Sequence, residues 1–208
     1  MKLYYAPGAC SLADHIVLEW IGKPYQAVAA DAAMRATPEY RAINPAGAVP
    51  VLVDGDWALT QNVAILTYLA DSAPEAGLMG DGTLRSRADV IRWLAFCNSD
   101  IHPHYGALFH DLAYLQDDTA IARTKAHARD TLAGLYARAD AQLGRNEWLA
   151  GPARSVTDAY LYVVTRWAKS MGVAIDGLSH LQAFARRMEA DPAVVKVLAE
   201  EGLKPSFA

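Results

Sequence analysis

The stretch "YYAPGACSLADH" places Cys10 just after Pro7-Gly8-Ala9, where a short apolar strand gives way to a helical pattern. A thiol at a helix start meets unpaired backbone N–H groups and the positive end of the helix dipole, both of which favour a thiolate. Ser11 is the expected N-cap. The competing reading is a small buried apolar residue, a common fate of free cysteine. Ala13 stands where a C-x-x-C motif would put its second cysteine, so a redox cycle at Cys10 would need an outside thiol.

Three further groups could share chemistry with it. Val49-Pro50 opens a strand with a residue that has no ladder donor to give. A cis bond there would turn the Val49 amide and carbonyl outward toward an extended peptide, whereas a trans bond would make an ordinary strand start. Gln61 and Asn62 begin a helix, where two amides beside free N–H groups suit an amino-acid carboxylate and amine, or act only as caps. His102 and His104 are two residues apart and share no helix face, and Cys97 lacks ligand spacing to them, so no metal is expected. His102 alone is either a catalytic group or an ordinary surface or core histidine. Cys97 reads as core. Trp93, Phe109 and Trp167 read as core, with one or two free to line an apolar pocket.

The elements that must position these groups fall into two sets. "KLYY" is a strand ended by Pro7-Gly8, "SLADHIVLEWIG" a helix stopped by Gly22, and "YQAVAA" a second strand. An irregular segment follows. "NPAGAVPVLVDGDWAL" then holds two strands around an Asp54-Gly55 turn, with both turn residues expected at positive φ. "TQNVAILTYLAD" is a helix with Val63, Leu66, Tyr68 and Leu69 facing inward. The Gly- and Pro-rich "SAPEAGLMGDGT" reads as a linker. Beyond it only helical patterns occur, at 84–114, 122–143, 157–171, 178–190 and 193–200. Pro103 interrupts the longest of these and predicts a kink that opens a cleft. "SVTD" at 155–158 has the spacing of a capping box.

The chain has 208 residues, a net charge of -4 and 53% apolar residues, enough for one large or two small domains with a substantial core. No basic stripe suggests nucleic acid. No run approaches the ~18 apolar residues of a membrane span, and "MKLYYAPGAC" reads as no signal peptide. Two cysteines make no disulfide framework, which fits a cytoplasmic location.

This combination resembles the glutathione transferase family, and "MKLYYAPGACSLADHI", "NPAGAVPVL", "LTQNVAILTYLAD", "FCNSDIH" and "SVTDAYLYVVTRW" resemble its bacterial beta class. The resemblance spans the whole chain. It implies a thioredoxin-like βαβ-ββα domain at 1–80 and an all-α domain at 84–208, paired as a homodimer with the cleft between the domains. It implies that Pro50 is cis and that Val49 pairs with the cysteinyl part of glutathione. Gln61 and Asn62 would hold the γ-glutamyl end, Arg35 would approach the glycine carboxylate, and Asp100 would reach across the dimer. Cys10 would face the glutathione sulfur, with His102 at the family's histidine position and Tyr5 as an alternative donor. Tyr105, Phe109 and Trp167 would build the electrophile pocket.

Three activities are consistent with this reading. The first is transfer of glutathione, as a stabilised thiolate, to a small electrophile in detoxification. The second is thiol-disulfide exchange or reductive dehalogenation through a mixed disulfide on Cys10. The third is a weakly catalytic protein that binds glutathione or an apolar ligand.

Overall fold

The computed structural model describes residues 1–207. The chain begins β1 (Lys2–Tyr5), α1 (Ser11–Ile21), β2 (Gln26–Ala29), α2 (Ala32–Ala36), α3 (Pro38–Ile43), β3 (Val51–Asp54), β4 (Trp57–Thr60) and α4 (Asn62–Asp71). The strands form one sheet in the order β2-β1-β3-β4. β1 and β2 are parallel, as a connection through a crossover helix requires, and the other pairings are antiparallel.

Strand alternation divides the sheet into two faces. Leu3, Tyr5 and Leu52 pack on the main core with α1 and α4, while Tyr4 and Val51 pack on Tyr40 of α3. The segment expected to be irregular contains α2 and α3. Asp31 caps the first, Thr37 caps the second, and Pro38 stands in the first turn of α3, where its missing donor costs nothing. The hairpin turn lies one residue later than expected: Asp54 still pairs with Trp57, so the turn is Gly55-Asp56. Of these, only Gly55 takes a positive φ. Asp54 instead accepts the Tyr68 hydroxyl at 2.6 Å. That bond keeps Tyr68 near the surface, and α4 buries Ile65, Leu66, Leu69 and Ala70.

The second half is helical: α5 (Leu84–Ala95), α6 (Gly106–Phe109), α7 (Asp118–Leu143), α8 (Val156–Ser170), α9 (Ser179–Ala190) and α10 (Pro192–Glu200). The single long helix expected over 84–114 is broken. α5 widens into a π-helical turn at Phe96–Ile101, where His102 N–H donates to the Cys97 carbonyl five residues back. Pro103 follows in a 3-10 turn, His102–Tyr105. Widening ahead of a proline relieves its clash with the preceding turn.

α1 is the central strut, with Ser11–Leu18 buried between α4, α8 and α10. α8 is buried along most of its length. It starts at the expected capping box: the Asp158 carboxylate accepts the Ser155 backbone N–H at 2.8 Å and its hydroxyl at 3.0 Å.

Candidate functional site

The start of α1 is built differently from the simplest reading of its sequence. Cys10 itself occupies the cap position, with φ -58 and ψ -26. Ser11 lies inside the helix, and its hydroxyl accepts the Ala6 N–H at 3.2 Å. The preceding loop is held by the far end of the chain. Gly8 N–H donates to Glu201 Oε2 at 2.9 Å, and the Trp167 indole N–H donates to the Gly8 carbonyl at 2.8 Å. Glu201 also takes the buried His15 Nδ1 at 3.0 Å. The position of Cys10 is therefore fixed by α8 and by the residue just after α10.

Cys10, Val49, Pro50, Gln61, Asn62 and His102 converge on one cavity of about 190 Å³. The Val49-Pro50 bond is cis. The loop that presents it is tied down at the Ala48 carbonyl, which accepts Tyr40 Oη and Asn44 Nδ2, each at 2.8 Å. Gln61 precedes α4 at φ 75, a backbone region that non-glycine residues occupy at a cost of ~1–3 kcal/mol and that recurs at functional sites. The Asn62 side chain, oriented to satisfy both ends of its amide, turns inward. It donates to Asp14 Oδ2 at 2.6 Å and to the Cys10 carbonyl at 3.3 Å. Its contribution to the cavity is thus the helix N-terminus more than the amide.

At Cys10, burial acts against the helix-start effect that favours a thiolate. Burial, and then the nearby Asp14, push its thiol up to about 12, outweighing the backbone N–H groups that act the other way. Asp14, fully buried, is itself held well above the usual carboxylate range by that burial. Cys10 is thus an S–H donor, directed at the Val49 carbonyl 3.8 Å away.

His102 faces this thiol across the cavity, and two residues that sequence reasoning missed accompany it. Its Nδ1 lies 2.6 Å from the Tyr160 hydroxyl, which in turn donates to Asn98 Oδ1 at 3.1 Å. Both newcomers line the cavity. The signal was available: Asn98 is four residues before His102, and Tyr160 is seven before Trp167, spacings that share a helix face.

The remaining candidates lie elsewhere. Tyr5 opens onto a separate cleft of about 540 Å³ lined also by His15, Glu19 and Tyr25. Alternation along β1 sends it under α1, where its ring packs on His15 at 5.1 Å. Arg35 bonds back to the Asp31 carbonyl of its own helix, and Asp100 is exposed, 4.0 Å from Arg138; neither lines the cavity. Tyr105 is fully buried and donates to the Val164 carbonyl, and neither it nor Phe109 nor Trp167 lines the cavity. Phe109 stacks on Tyr105 at 5.3 Å and meets Trp167 edge-on at 5.2 Å. Trp167 in turn contacts the His102 ring at 4.8 Å, joining this aromatic cluster to the cavity.

Comparison with known proteins agrees with this geometry. Residues 1–71 match the family model described as glutathione S-transferase, N-terminal domain, and residues 101–192 match that for the C-terminal domain. Glutathione S-transferase GST-4.5 of Xanthomonas campestris pv. campestris is 55% identical, over 98% of this chain and 100% of that protein. The structure of a glutathione S-transferase from Xylella fastidiosa superposes with a TM-score of 0.95 at 55% identity, covering 98% of this chain and 99% of that one. A sphingomonad glutathione S-transferase complexed with glutathione superposes with a TM-score of 0.87 at 37% identity, covering 98% and 100%. Sheet and helical half thus have their counterparts along nearly the whole chain, and the protein belongs to the glutathione S-transferase family.

Proposed function

We propose that this transferase conjugates glutathione to small electrophiles in the 190 Å³ cavity, with Cys10 acting as a neutral S–H donor to the glutathione thiolate. The observation that carries the reading is the convergence of Cys10, Val49, the start of α4 and His102 on one cavity. The Cys10 S–H points at the Val49 carbonyl. A cysteinyl backbone N–H pairing with that carbonyl would compete for it and free the S–H for the incoming sulfur. The exposed N–H groups at the start of α4 suit the γ-glutamyl carboxylate. Phe109 and Trp167, joined to the cavity through the His102 ring, give the electrophile an apolar wall.

Calorimetric titration with glutathione, paired with a chlorodinitrobenzene conjugation assay, tests this reading. Binding in the micromolar to millimolar range with measurable conjugation is expected. No binding at millimolar glutathione would end the proposal.

The wider setting follows the same reading. Residues 1–80 bind glutathione, and residues 84–208 supply the electrophile pocket and contacts within a cytoplasmic homodimer active in detoxification. Exposed apolar side chains on β4 and α5, namely Trp57, Leu84 and Ile91, favour pairing with another chain. Light scattering at working concentration should give twice the 22.5 kDa chain mass.

Glu201 provides a test at a distance. Glu201→Ala releases Gly8 and leaves His15 without its Nδ1 acceptor. A glutathione KM about tenfold higher, with kcat less affected, is the expected result of a loosened Cys10 loop. An unchanged KM would show that the loop is held without this tie.

A further inference from the structure

The hydrogen-bond chain behind His102 decides which of its nitrogens carries a proton. A phenol has one proton to donate. The Tyr160 hydroxyl meets Asn98 Oδ1 at 3.1 Å and also the Asn62 side chain, whose oxygen faces donors once its amide nitrogen points at Asp14, so the Tyr160 proton has amide-oxygen acceptors away from His102. The Tyr160 oxygen then faces His102 Nδ1 at 2.6 Å with a lone pair, and Nδ1 must be the donor. Burial pulls the imidazole below its ordinary value, and no neighbouring charge acts on it, so the ring is neutral at pH 7. A neutral imidazole has a single N–H. With that N–H at Nδ1, Nε2 carries a lone pair in a ring that lines the cavity.

The local fold supports the chain. The π-helical turn places Asn98 within it and His102 just after it, both on the cavity side. Tyr160 is fully buried on α8, and its own proton is held far from titration by that burial. Trp167, packed edge-on against the imidazole, fixes the plane of the ring.

We propose that Tyr160 and Asn98 are positioning residues that hold His102 in its Nδ1–H tautomer, so that Nε2 accepts the thiol proton of glutathione. This rests on the reading of the cavity as the glutathione site. The S–H bond breaks, its electron pair stays on sulfur, and the proton forms a new N–H bond at Nε2. The imidazolium keeps its Nδ1–H on Tyr160. It later gives the Nε2 proton to the leaving group or to water, which restores the neutral ring. Cys10 donates to the sulfur anion while the proton is away.

The test is long-range 1H–15N correlation of the histidine rings in the full chain without glutathione, with His102 assigned by loss of its signals in His102→Gln. Wild type is expected to show the Nδ1–H pattern. Tyr160→Phe and Asn98→Leu, made separately in case one fails to fold, are expected to shift His102 toward the Nε2–H form. Each should lower kcat/KM at least about tenfold, less than the ~10²–10⁴-fold of losing a general base outright because the imidazole itself remains, with glutathione KM changed less than about twofold. An Nε2–H wild type, or variants that leave the tautomer or kcat unchanged, would overturn the proposal. Failure of glutathione to bind would overturn the site assignment instead, and the apo spectra keep the two failures distinct.

Discussion

Cys10→Ala is expected to lower kcat/KM about 30- to 100-fold, and Cys10→Ser less than about fivefold. The reasoning starts from the protonation state. The thiol is pushed up to about 12 by burial and by Asp14, so at neutral pH it carries its proton and serves as a donor. A hydrogen bond to a charged group contributes ~1.5–3 kcal/mol, and a donor aimed at a developing anion in a dry site reaches 10²–10³-fold in rate. Alanine removes the donor, whereas serine keeps one at the same place. A mixed-disulfide mechanism makes the opposite prediction, because neither residue can form the disulfide and both variants would fail alike. Kinetics of the two variants, with mass spectrometry of the unreduced protein, separates the mechanisms. Ultraviolet titration of the free protein gives a direct check. Cys97 is also held well above the usual thiol range by burial, so little thiolate absorbance should develop below about pH 10.

The largest effect on stability is expected at Asp158. Its carboxylate accepts Leu149 N–H at 2.8 Å as well as the two Ser155 groups, all within the core. Asp158→Ala orphans two buried backbone donors, Leu149 N–H and Ser155 N–H, at the entry to α8, the helix that supplies Tyr160 and Trp167 to the site, while the Ser155 hydroxyl keeps only Thr157. A loss of about 3–5 kcal/mol follows, seen as a fall in Tm of about 10 °C for a chain of this size. Burial pushes this carboxyl up to about 6, against the donors that lower it. The folded form therefore binds the proton more tightly than an unfolded chain with the ordinary ~3.9. This group's contribution to stability is full below about pH 4 and is lost as pH rises through about 6. Comparing denaturation of wild type and Asp158→Asn across that window isolates the slope. A variant within about 1 kcal/mol of wild type would show that the capping box is not a main support of α8.

Local pattern was enough to read the elements, because helix and strand periods are properties of neighbouring residues. It placed β1, α1, the hairpin strands, the linker and α7 to α10 to within a few residues, and it gave the Ser155–Asp158 capping box. It singled out Cys10, Val49-Pro50 and His102 as candidates, because a helix start, a strand-opening proline and a proline-broken helix are short-range signals, while the roles of His102 and Val49-Pro50 came from the family resemblance.

The tertiary structure alone decided the rest. Short-range rules left Cys10 open between a reactive thiol and a buried one, and groups distant in sequence bury the sulfur and push its thiol up. Tyr5 lines a cleft other than the Cys10 cavity because the face of β1 that receives α1 is chosen by packing. The Cys10 loop is tied to Glu201, 193 residues from Gly8, and His102 to Tyr160, 58 residues away. No local pattern encodes such pairings. They exist only once α1, α8 and α10 have packed.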